Sequence, residues 1–185
     1  MEEIKPDIRH LNDMREMFSE AKGNENPPLY YMYRGVEKNN DLRYDITVIP
    51  PLMFGSEYNK TKGHYHYSHP ELYIVLKGQA IFLIQKGIDE ITDVYFIKAK
   101  EGDAILIPNN SGHFTINPTT DTVLELSNWS SVNSKFDYKP VEIKKGACYY
   151  YTLKGWIKNQ NYKQVPELRQ EEPLNEIPKD LTFLK

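Results

Sequence analysis

The sequence predicts an all-β domain, either a sandwich or a barrel, and two observations lead to this prediction. Short stretches of apolar and aromatic residues recur between residues 63 and 128, at spacings of about 8–12 residues that are typical of such folds. Turn-forming Gly, Asp and Asn residues separate these stretches. The chain has 185 residues, which suits a single domain with a buried core.

The first 27 residues form a polar segment in which we predict a short helix. Asn12 or Asp13 is a suitable N-cap, and the helix is expected to end at Glu20 or Ala21, before the helix-breaking residues 23–28. Spacings of three and four residues place three apolar side chains on one helix face: Met14, Met17 and Phe18.

Residues 28–138 are predicted to form the barrel core. A hairpin over residues 29–36 and 44–49 leads into it, and residues 52–62 form a loop. The remaining core strands are predicted over residues 63–67, 71–77, 80–85, 93–99, 104–107, 112–117 and 123–128.

The last segment, residues 139–185, is expected to add two strands and a tail to the same domain. The strands are predicted over residues 148–153 and 156–158. The tail after residue 165 is charged and rich in proline, so we expect it to wrap the surface or a partner subunit. The sequence shows no internal repeat and no second domain.

Composition excludes several classes of function. The net charge of −3 and the absence of a long Lys/Arg block argue against nucleic-acid binding. No apolar run approaches the ~18 residues of a membrane span. The single cysteine, Cys148, cannot form an internal disulfide, and no apolar N-terminal leader is evident, so we expect a cytoplasmic protein.

Three histidines and one glutamate form a candidate metal site. His64 and His66 are two residues apart in a predicted strand, so their side chains point to the same face. Glu71 follows five residues later, and His113 follows a turn in a second stretch. Three imidazoles and a carboxylate suit Fe²⁺, Mn²⁺, Ni²⁺ or Zn²⁺.

Both stretches match known motifs. The first reads H-x-H-x4-E-x6-G from His64 to Gly78, and the second reads G-x5-P-x4-H-x3-N from Gly102 to Asn117. Together they resemble the two signature motifs of the cupin superfamily, which hold a metal ion on three histidines and one glutamate in a small antiparallel β-barrel. The superfamily hosts many reactions, so this likeness alone does not identify an activity.

A longer pattern narrows the resemblance. Residues 47–66 read T-x3-P-x3-G-x-E-x3-T-x-G-H-x-H, and residues 71–73 follow as E-x-Y. This pattern, with the similar residues 9–14 and the tyrosines Tyr30 and Tyr33, resembles the cupin-type phosphoglucose isomerases. These are metal-dependent glucose-6-phosphate isomerases found mainly in archaea, and the likeness covers about residues 9–140.

The resemblance implies a cupin barrel with a short N-terminal helix and a C-terminal extension, and an enzyme that interconverts glucose 6-phosphate and fructose 6-phosphate. It implies one divalent metal ion per chain, with Fe²⁺ expected first and Mn²⁺, Ni²⁺ or Zn²⁺ as alternatives. Glu71 would be both a metal ligand and the catalytic base. The residues implied in binding the sugar phosphate are Tyr30, Thr47, Thr61, Gly63, Tyr73 and Tyr138. Sheet edges and the N-terminal segment favour a homodimer.

Simpler interpretations of these residues remain open. Thr47 is also an ordinary strand residue, Gly63 also permits a backbone bend, and Tyr73 also suits core packing. Proton transfer through an enediol and a metal-assisted hydride shift are both compatible with the sequence. His69 falls outside the pattern and is expected in a solvated bend.

One position departs from the family pattern. The family has a histidine two residues before a tyrosine near the end of the barrel, where this chain has Phe136 before Tyr138. Phenylalanine cannot hydrogen-bond a sugar or transfer a proton. This departure keeps open a sugar-phosphate-binding protein without catalysis. A cupin dioxygenase is a separate alternative, because it uses the same metal ligands.

Overall fold

The computed structural model describes residues 4–185 and consists mainly of β-strands. In chain order the strands are β1 (Asp7–His10), β2 (Pro28–Asn39), β3 (Leu42–Ile49), β4 (Met53–Phe54), β5 (Glu57–Tyr58), β6 (His64–His66), β7 (Glu71–Lys77), β8 (Gln79–Lys86), β9 (Asp93–Lys100), β10 (Ala104–Ile107), β11 (Ser111–Ile116), β12 (Leu124–Ser131), β13 (Phe136–Asp137), β14 (Tyr149–Thr152), β15 (Gly155–Lys158) and β16 (Arg169–Glu171). One α-helix, α1 (Lys139–Ile143), and three 3₁₀ turns, Leu11–Asp13, Arg15–Met17 and Thr182–Leu184, complete the described elements.

The strands form two six-stranded sheets and a smaller third sheet. The first sheet has the order β1-β2-β3-β12-β7-β10, and the second has the order β13-β6-β11-β8-β9-β16. The third sheet, β15-β14-β5-β4, lies outside this pair. Consecutive strands such as β2 and β3 form hairpins. Strand β12 instead pairs with β3 on one side and β7 on the other, and both are distant from it in sequence.

A hydrophobic core joins the two large sheets. Val75 on β7 and Leu126 on β12 belong to the same buried cluster as Phe82 and Ile84 on the second sheet. The N-terminal segment closes one end of this cluster with Met14 and its neighbours. The two sheets therefore face one another across a shared interior, and the polar site described below lies in that interior.

The N-terminal segment differs from the predicted helix. The structure has two 3₁₀ turns, Leu11–Asp13 and Arg15–Met17, and the backbone of Met14 between them is not helical (φ −155°, ψ 23°). Asp13 is a capping residue, because its carboxylate accepts the backbone N–H of His10 at 2.8 Å, but it is not the N-cap of a continuous helix. The prediction of one helix was therefore wrong, although Met14, Met17 and Phe18 are buried as expected.

Five strands were not predicted from the sequence: β1, β13, β16, and the short β4 and β5, which lie within the predicted loop of residues 52–62. Asp7–His10 joins the edge of the first sheet, and Arg169–Glu171 in the tail pairs in parallel with β9. The tail ends with Leu184 fully buried against Leu42 and Leu72. The tail thus follows the surface of its own domain, which is one of the two positions expected for it. Within residues 4–185, no helix has the length and apolar character required to cross a lipid bilayer.

Candidate metal centre and substrate cavity

Strand pairing brings three of the predicted metal ligands together. His64 on β6 lies directly opposite His113 on β11 in the second sheet, and Glu71 begins β7 in the first sheet. One ligand atom from each of these residues lies within 4.8 Å of the other two. The ring centroids of His64 and His113 are 4.6 Å apart, and His113 Nε2 is 3.7 Å from Glu71 Oε2.

His66, the fourth predicted ligand, lies beside this group but outside the three-residue cluster. Its ring centroid is 5.4 Å from that of His113 and 6.0 Å from that of His64. Its Nδ1 is 2.7 Å from the backbone carbonyl of His69, and its buried Nε2 has no hydrogen-bond partner. His69 itself is partly exposed, directly after the bend at residues 67–68, and contributes its main chain to this contact.

Burial keeps the imidazoles in the form that binds metal ions. It lowers the pKa of His64 to about 3, lowers that of His113 well below its ordinary value, and lowers that of His66. Neutral imidazole is the state that coordinates a cation. Because the buried Nε2 atoms of His64 and His66 have no hydrogen-bond partner, the residues of this cluster fit a divalent transition metal.

Glu71 completes this donor set with a buried carboxyl group. Its side chain is 1% exposed, and burial raises the pKa of its carboxyl group to about 7. A nearby cation would favour the ionised form and lower this pKa. A carboxylate in this position is therefore suited to bind an ion and, near neutral pH, to exchange a proton.

Tyr73 points at the metal cluster, because it lies two residues after Glu71 on the same strand and so shares its face. Its hydroxyl donates to Glu71 Oε2 at 3.1 Å and lies 3.2 Å from His113 Nε2. Burial and the neighbouring Glu71 raise the pKa of Tyr73 well above its ordinary value, so the hydroxyl remains a donor. The ring also packs on Phe82 in the core, with centroids 5.4 Å apart. Tyr73 therefore combines packing with a polar contact at the site.

One cavity connects the metal cluster with the predicted substrate residues. His64, Glu71 and His113 line it. All six residues implied in sugar-phosphate binding also line it: Tyr30, Thr47, Thr61, Gly63, Tyr73 and Tyr138. Because these side chains come from both sheets and from the loop before β6, the cavity is a product of the sheets facing one another.

One corner of the cavity concentrates neutral hydrogen-bonding groups. The backbone N–H of Lys62 points to the hydroxyl of Tyr30 at 3.3 Å, and the backbone N–H of Thr115 donates to Thr61 Oγ1 at 3.0 Å. The hydroxyl hydrogen of Thr61 is thereby left to donate elsewhere. Gly63 follows with a positive φ of 71°, so the backbone bend that the sequence allowed is present. Groups of this kind can bind a phosphate without a cluster of lysines.

Sequence reasoning missed a charged side of the cavity. Arg34, Arg43 and Asp45 line the wall near Glu71, and Asn128 lies beside them on β12. The alternation of β3 was the available signal, because Arg43 and Asp45 share a strand face with Thr47. These residues did not fit the motif, so the sequence analysis left them unassigned.

Phe136 occupies the position at which the family pattern has a histidine. It lines the cavity, and its ring centroid is 4.6 Å from that of His64. Tyr138 lies 5.5 Å from the same imidazole by the same measure. This wall of the cavity therefore packs an apolar ring against a metal-ligand candidate.

Comparison with known sequences finds a family match over most of the chain. The model of a family described as glucose-6-phosphate isomerase (GPI) matches residues 7–167. Proteins named glucose-6-phosphate isomerase from Thermococcus litoralis and Pyrococcus furiosus are 32% and 31% identical to this chain over 127 residues. Each match covers 63% of this chain, and 65% and 66% of the respective relatives, so the chain spans less than two thirds of their length.

Comparison with solved structures supports the fold. Oxalate oxidase, solved in a study of its mechanism and in complex with glycolate, aligns with a TM-score of 0.51 at 17% sequence identity. The alignment covers 70% of this chain and 66% of that chain. At this identity the likeness concerns the fold alone, and it agrees with the two facing sheets described above. The predicted all-β cupin fold is thus confirmed.

Proposed function

The chain belongs to the glucose-6-phosphate isomerase (GPI) family, and from this premise we propose that it interconverts glucose 6-phosphate and fructose 6-phosphate with a bound divalent metal ion. The observation that carries the proposal is one cavity that joins two kinds of site. His64, Glu71 and His113 cluster at one part of it, and hydroxyl and backbone groups suited to a phosphate line another part.

The metal ion would be held by His64, His66, Glu71 and His113. Fe²⁺ is our first choice, with Mn²⁺, Ni²⁺ and Zn²⁺ as alternatives, because all four accept imidazole and carboxylate ligands. A bound ion of this kind supplies Lewis acidity, which polarises oxygen atoms of a substrate. The unpartnered Nε2 atoms of His64 and His66 support this assignment, since buried nitrogen atoms without partners are costly.

The phosphate would lie in the corner formed by Tyr30, Thr61 and Gly63, with Thr47 beside it. The hydroxyls of Tyr30, Thr47 and Thr61 and the backbone of Gly63 offer several donors to phosphate oxygens. This contact would fix the far end of the sugar and leave its carbonyl end near Glu71 and Tyr73. Tyr138 would close the same side of the cavity.

Glu71 is the proposed base for the proton-transfer route. Its carboxylate would take the proton from C2, so that the C–H electrons form the C1–C2 double bond and the carbonyl π electrons move to O1, giving an enediolate. The O2 hydroxyl proton would pass to O1, and Glu71 would return its proton to C1 as the C2 carbonyl forms. The Tyr73 hydroxyl, 3.1 Å from Glu71 Oε2, would orient the carboxylate during both transfers. The alternative in the same direction is a hydride shift from C2 to C1 that needs no base.

Deuterium separates these two routes. Turnover in D₂O introduces deuterium at C2 or C1 if Glu71 exchanges its proton with solvent between the two transfers. A hydride shift instead retains the original hydrogen atom in every product molecule. Nuclear magnetic resonance of the recovered sugar phosphate measures the deuterium content directly.

A second candidate function follows from Phe136. Because phenylalanine supplies no proton and no hydrogen bond, this wall of the cavity is compatible with a protein that binds a sugar phosphate without converting it. An isomerase and a binding protein both bind the sugar phosphate saturably, so only turnover distinguishes them. The dioxygenase alternative has less support, because the hydroxyl-lined corner suits a phosphate.

The proposal is tested by metal removal and replacement. The protein is stripped with a chelator, reloaded separately with Fe²⁺, Mn²⁺, Ni²⁺ or Zn²⁺, and assayed with fructose 6-phosphate and mannose 6-phosphate. We expect metal-dependent conversion of fructose 6-phosphate. Saturable binding without turnover for every metal would favour the binding protein, and oxygen consumption would favour the dioxygenase.

The proposal also includes a homodimer in the cytoplasm. Strand β1 forms one edge of the first sheet. Three apolar side chains on or near this strand are at least 40% exposed: Ile4, Ile8 and Val36. Exposed apolar residues along a sheet edge favour a second copy of the chain. Light scattering of the purified protein tests the dimer, and cell fractionation tests the location.

A further inference from the structure

Two arginines and one aspartate line the cavity in a cluster to which the proposed reaction assigns no role. Arg43 and Asp45 lie on β3 on the same face as Thr47, because side chains two residues apart share a strand face. Arg34 lies on the neighbouring strand β2, and all of these side chains line the cavity. Arginine side chains in such a cavity are suited to bind a ligand that carries anionic oxygen atoms.

The cluster is organised around the buried carboxylate of Asp45, which is 4% exposed. Asp45 Oδ1 accepts the backbone N–H of Gly35 at 2.7 Å, and Oδ2 accepts Arg43 Nε at 3.0 Å. Arg43 Nη2 lies 2.8 Å from the same Oδ2, and Arg34 Nη1 lies 3.6 Å from it. Asp45 therefore fixes the orientation of the Arg43 guanidinium, and two positive groups share one negative group.

Arg43 retains hydrogen-bonding capacity toward the cavity. Two of its nitrogen atoms bind Asp45, while Nη1 has no hydrogen-bond partner among residues 4–185. The side chain is 26% exposed and lines the cavity. A guanidinium has five N–H donors in a planar fork, so a cavity ligand can be bound while the contacts with Asp45 persist.

Strand register locates Arg43 at the end of the cavity that holds Glu71. On β12, Ser130 lies opposite Arg43 of β3. Its neighbour Trp129 lies opposite Leu72 of β7, the residue directly after Glu71. Arg43 is close enough to help lower the pKa of Glu71, which burial raises overall. Thr47, in contrast, is four residues further along β3, or about 13 Å at ~3.3 Å per residue.

We propose that Arg43, oriented by Asp45, is a further substrate-contacting residue whose guanidinium donates hydrogen bonds to the oxygen atoms at the reacting end of the sugar phosphate. The inference rests on the proposed isomerase function and on the phosphate lying at the Thr47 end of the cavity. Isomerisation moves a hydrogen atom between C1 and C2, and negative charge develops on the attached oxygen atoms. A fixed guanidinium stabilises such charge strongly in a buried site.

Arg34 is a positioning residue in this arrangement. It lies beside Asp45 but also binds Asp7 at 2.9 Å, so its guanidinium is shared with the protein surface. Its contribution is to help hold the Asp45 carboxylate in place. Phe136 lines the same cavity without any donor, so Arg43 provides a polar contact that this aromatic ring cannot provide.

Two ligands that differ only at the reacting end test the inference. The first is a five-carbon aldonic acid 5-phosphate, whose carboxylate stands for the charged oxygen atoms, and the second is the corresponding alditol 5-phosphate, which is neutral there. Calorimetry measures both affinities for the metal-loaded protein and its Arg43→Gln variant. We expect the variant to bind the acid ~10–100-fold more weakly, as for a lost charged hydrogen bond, and the alditol within ~2-fold of the parent.

Two further variants control for charge and folding. Lys38 lies opposite Arg43 on β2 but is exposed and does not line the cavity, so Lys38→Gln removes a neighbouring positive charge and should leave both affinities unchanged. Arg43→Lys keeps the charge but not the planar fork, and should recover part of the lost affinity for the acid. Circular dichroism establishes that each variant is folded.

The outcomes separate this inference from the proposed function. Equal weakening of acid and alditol, or no weakening of either, in folded Arg43→Gln would overturn the role of Arg43 even if the parent protein isomerises its substrate. Selective loss of the acid would support the role even if the parent binds sugar phosphates without turnover. In an active enzyme, Arg43→Gln should lower kcat more than it raises KM, because the charge develops during the reaction.

Discussion

At the scale of single residues, burial determines the chemistry of the candidate site. His64 and His113 are ordinary imidazoles in sequence, but their burial lowers their pKa values and leaves nitrogen lone pairs available near neutral pH. Glu71 responds in the opposite direction, since burial disfavours the charged form of an acid. The sequence predicted the candidate residues, whereas their degree of burial required the folded chain.

The metal ligands give a prediction at this scale. His64→Ala or His113→Ala should lower metal affinity at least ~100-fold and abolish isomerisation, because either change removes a direct ligand. His66→Ala should have a similar effect if its free Nε2 joins the other three ligands. Metal content after dialysis, measured by mass spectrometry, and activity with fructose 6-phosphate provide the two readouts.

His69→Ala is the matched control for these variants. His69 is a partly exposed histidine, and its contact with His66 uses the backbone carbonyl, which the substitution preserves. Metal content and activity should therefore equal those of the parent protein. Full metal content in His64→Ala or His113→Ala would refute the proposed ligand set.

At the scale of elements, the entry to β6 positions the site through close packing. Gly63 has a φ of 71°, and a Cβ at this position would overlap the ring of Phe114 and lie 2.8 Å from the carbonyl oxygen of His113. The glycine thus lets β6 approach β11 closely enough to pair His64 with His113. Both explanations that the sequence left open for Gly63 remain compatible, since it bends the chain and also lines the cavity.

Two glycines with positive φ offer a matched pair of substitutions. Gly63→Ala should cost ~1 kcal/mol for the left-handed backbone and a further ~1–3 kcal/mol for overpacking, and it should also weaken metal binding. Gly102→Ala should cost only the backbone contribution, because no atom lies within 4 Å of its added Cβ at φ 90°. Chemical denaturation measures both free energies of unfolding, and equal losses would argue against the packing role of Gly63.

The C-terminal strand provides an element-scale prediction that depends on pH. Arg169 on β16 binds the carboxylate of Asp93 on β9 through two nitrogen atoms, with 3.2 Å from Nη2 to Oδ2, and this hydrogen bonding lowers the pKa of Asp93 below its ordinary 3.8. Because the folded pKa is lowered, the stabilisation is present above pH 3.8 and is lost as the pH falls through the folded pKa.

Arg169→Gln tests this contribution. The pair is largely exposed, so we expect a loss of only a few tenths of a kcal/mol near pH 7. The difference from the parent should shrink in acid below the folded pKa of Asp93, where only contacts such as those with the Tyr95 ring and the Val94 carbonyl remain. Lys100→Gln, which removes an exposed charge at the end of β9, is the control and should show no such pH dependence. A difference that is constant with pH would contradict the assignment to this ion pair.

At the scale of the whole molecule, the candidate site joins the two large sheets. His64 and His113 belong to the second sheet, whereas Glu71 belongs to the first. An ion bound to all of them would connect the sheets directly. Such an ion would bind the folded chain in preference to the unfolded chain, because only folding brings these residues together.

Metal binding should therefore stabilise the entire domain. At a free concentration 100 times the dissociation constant, the gain is ~2.7 kcal/mol, or ~5–10 °C in Tm for a chain of this size. Thermal unfolding of chelator-treated protein with and without Mn²⁺ measures the shift. His64→Ala should show no shift at the same concentration. An equal shift in this variant would indicate binding elsewhere in the molecule.

The sequence by itself determined the all-β class, the four candidate ligands and the set of residues that resemble a phosphate site. Local patterns sufficed for the class and the candidate ligands, because strand alternation and motif spacing act over a few residues, whereas the phosphate-site residues followed from the family resemblance. It did not determine the break at Met14, the docking of β1 and β16, or the charged wall formed by Arg34, Arg43 and Asp45. Only the tertiary structure decided these features, because they depend on which distant strands pair, which side chains the second sheet buries, and which charges then share one cavity.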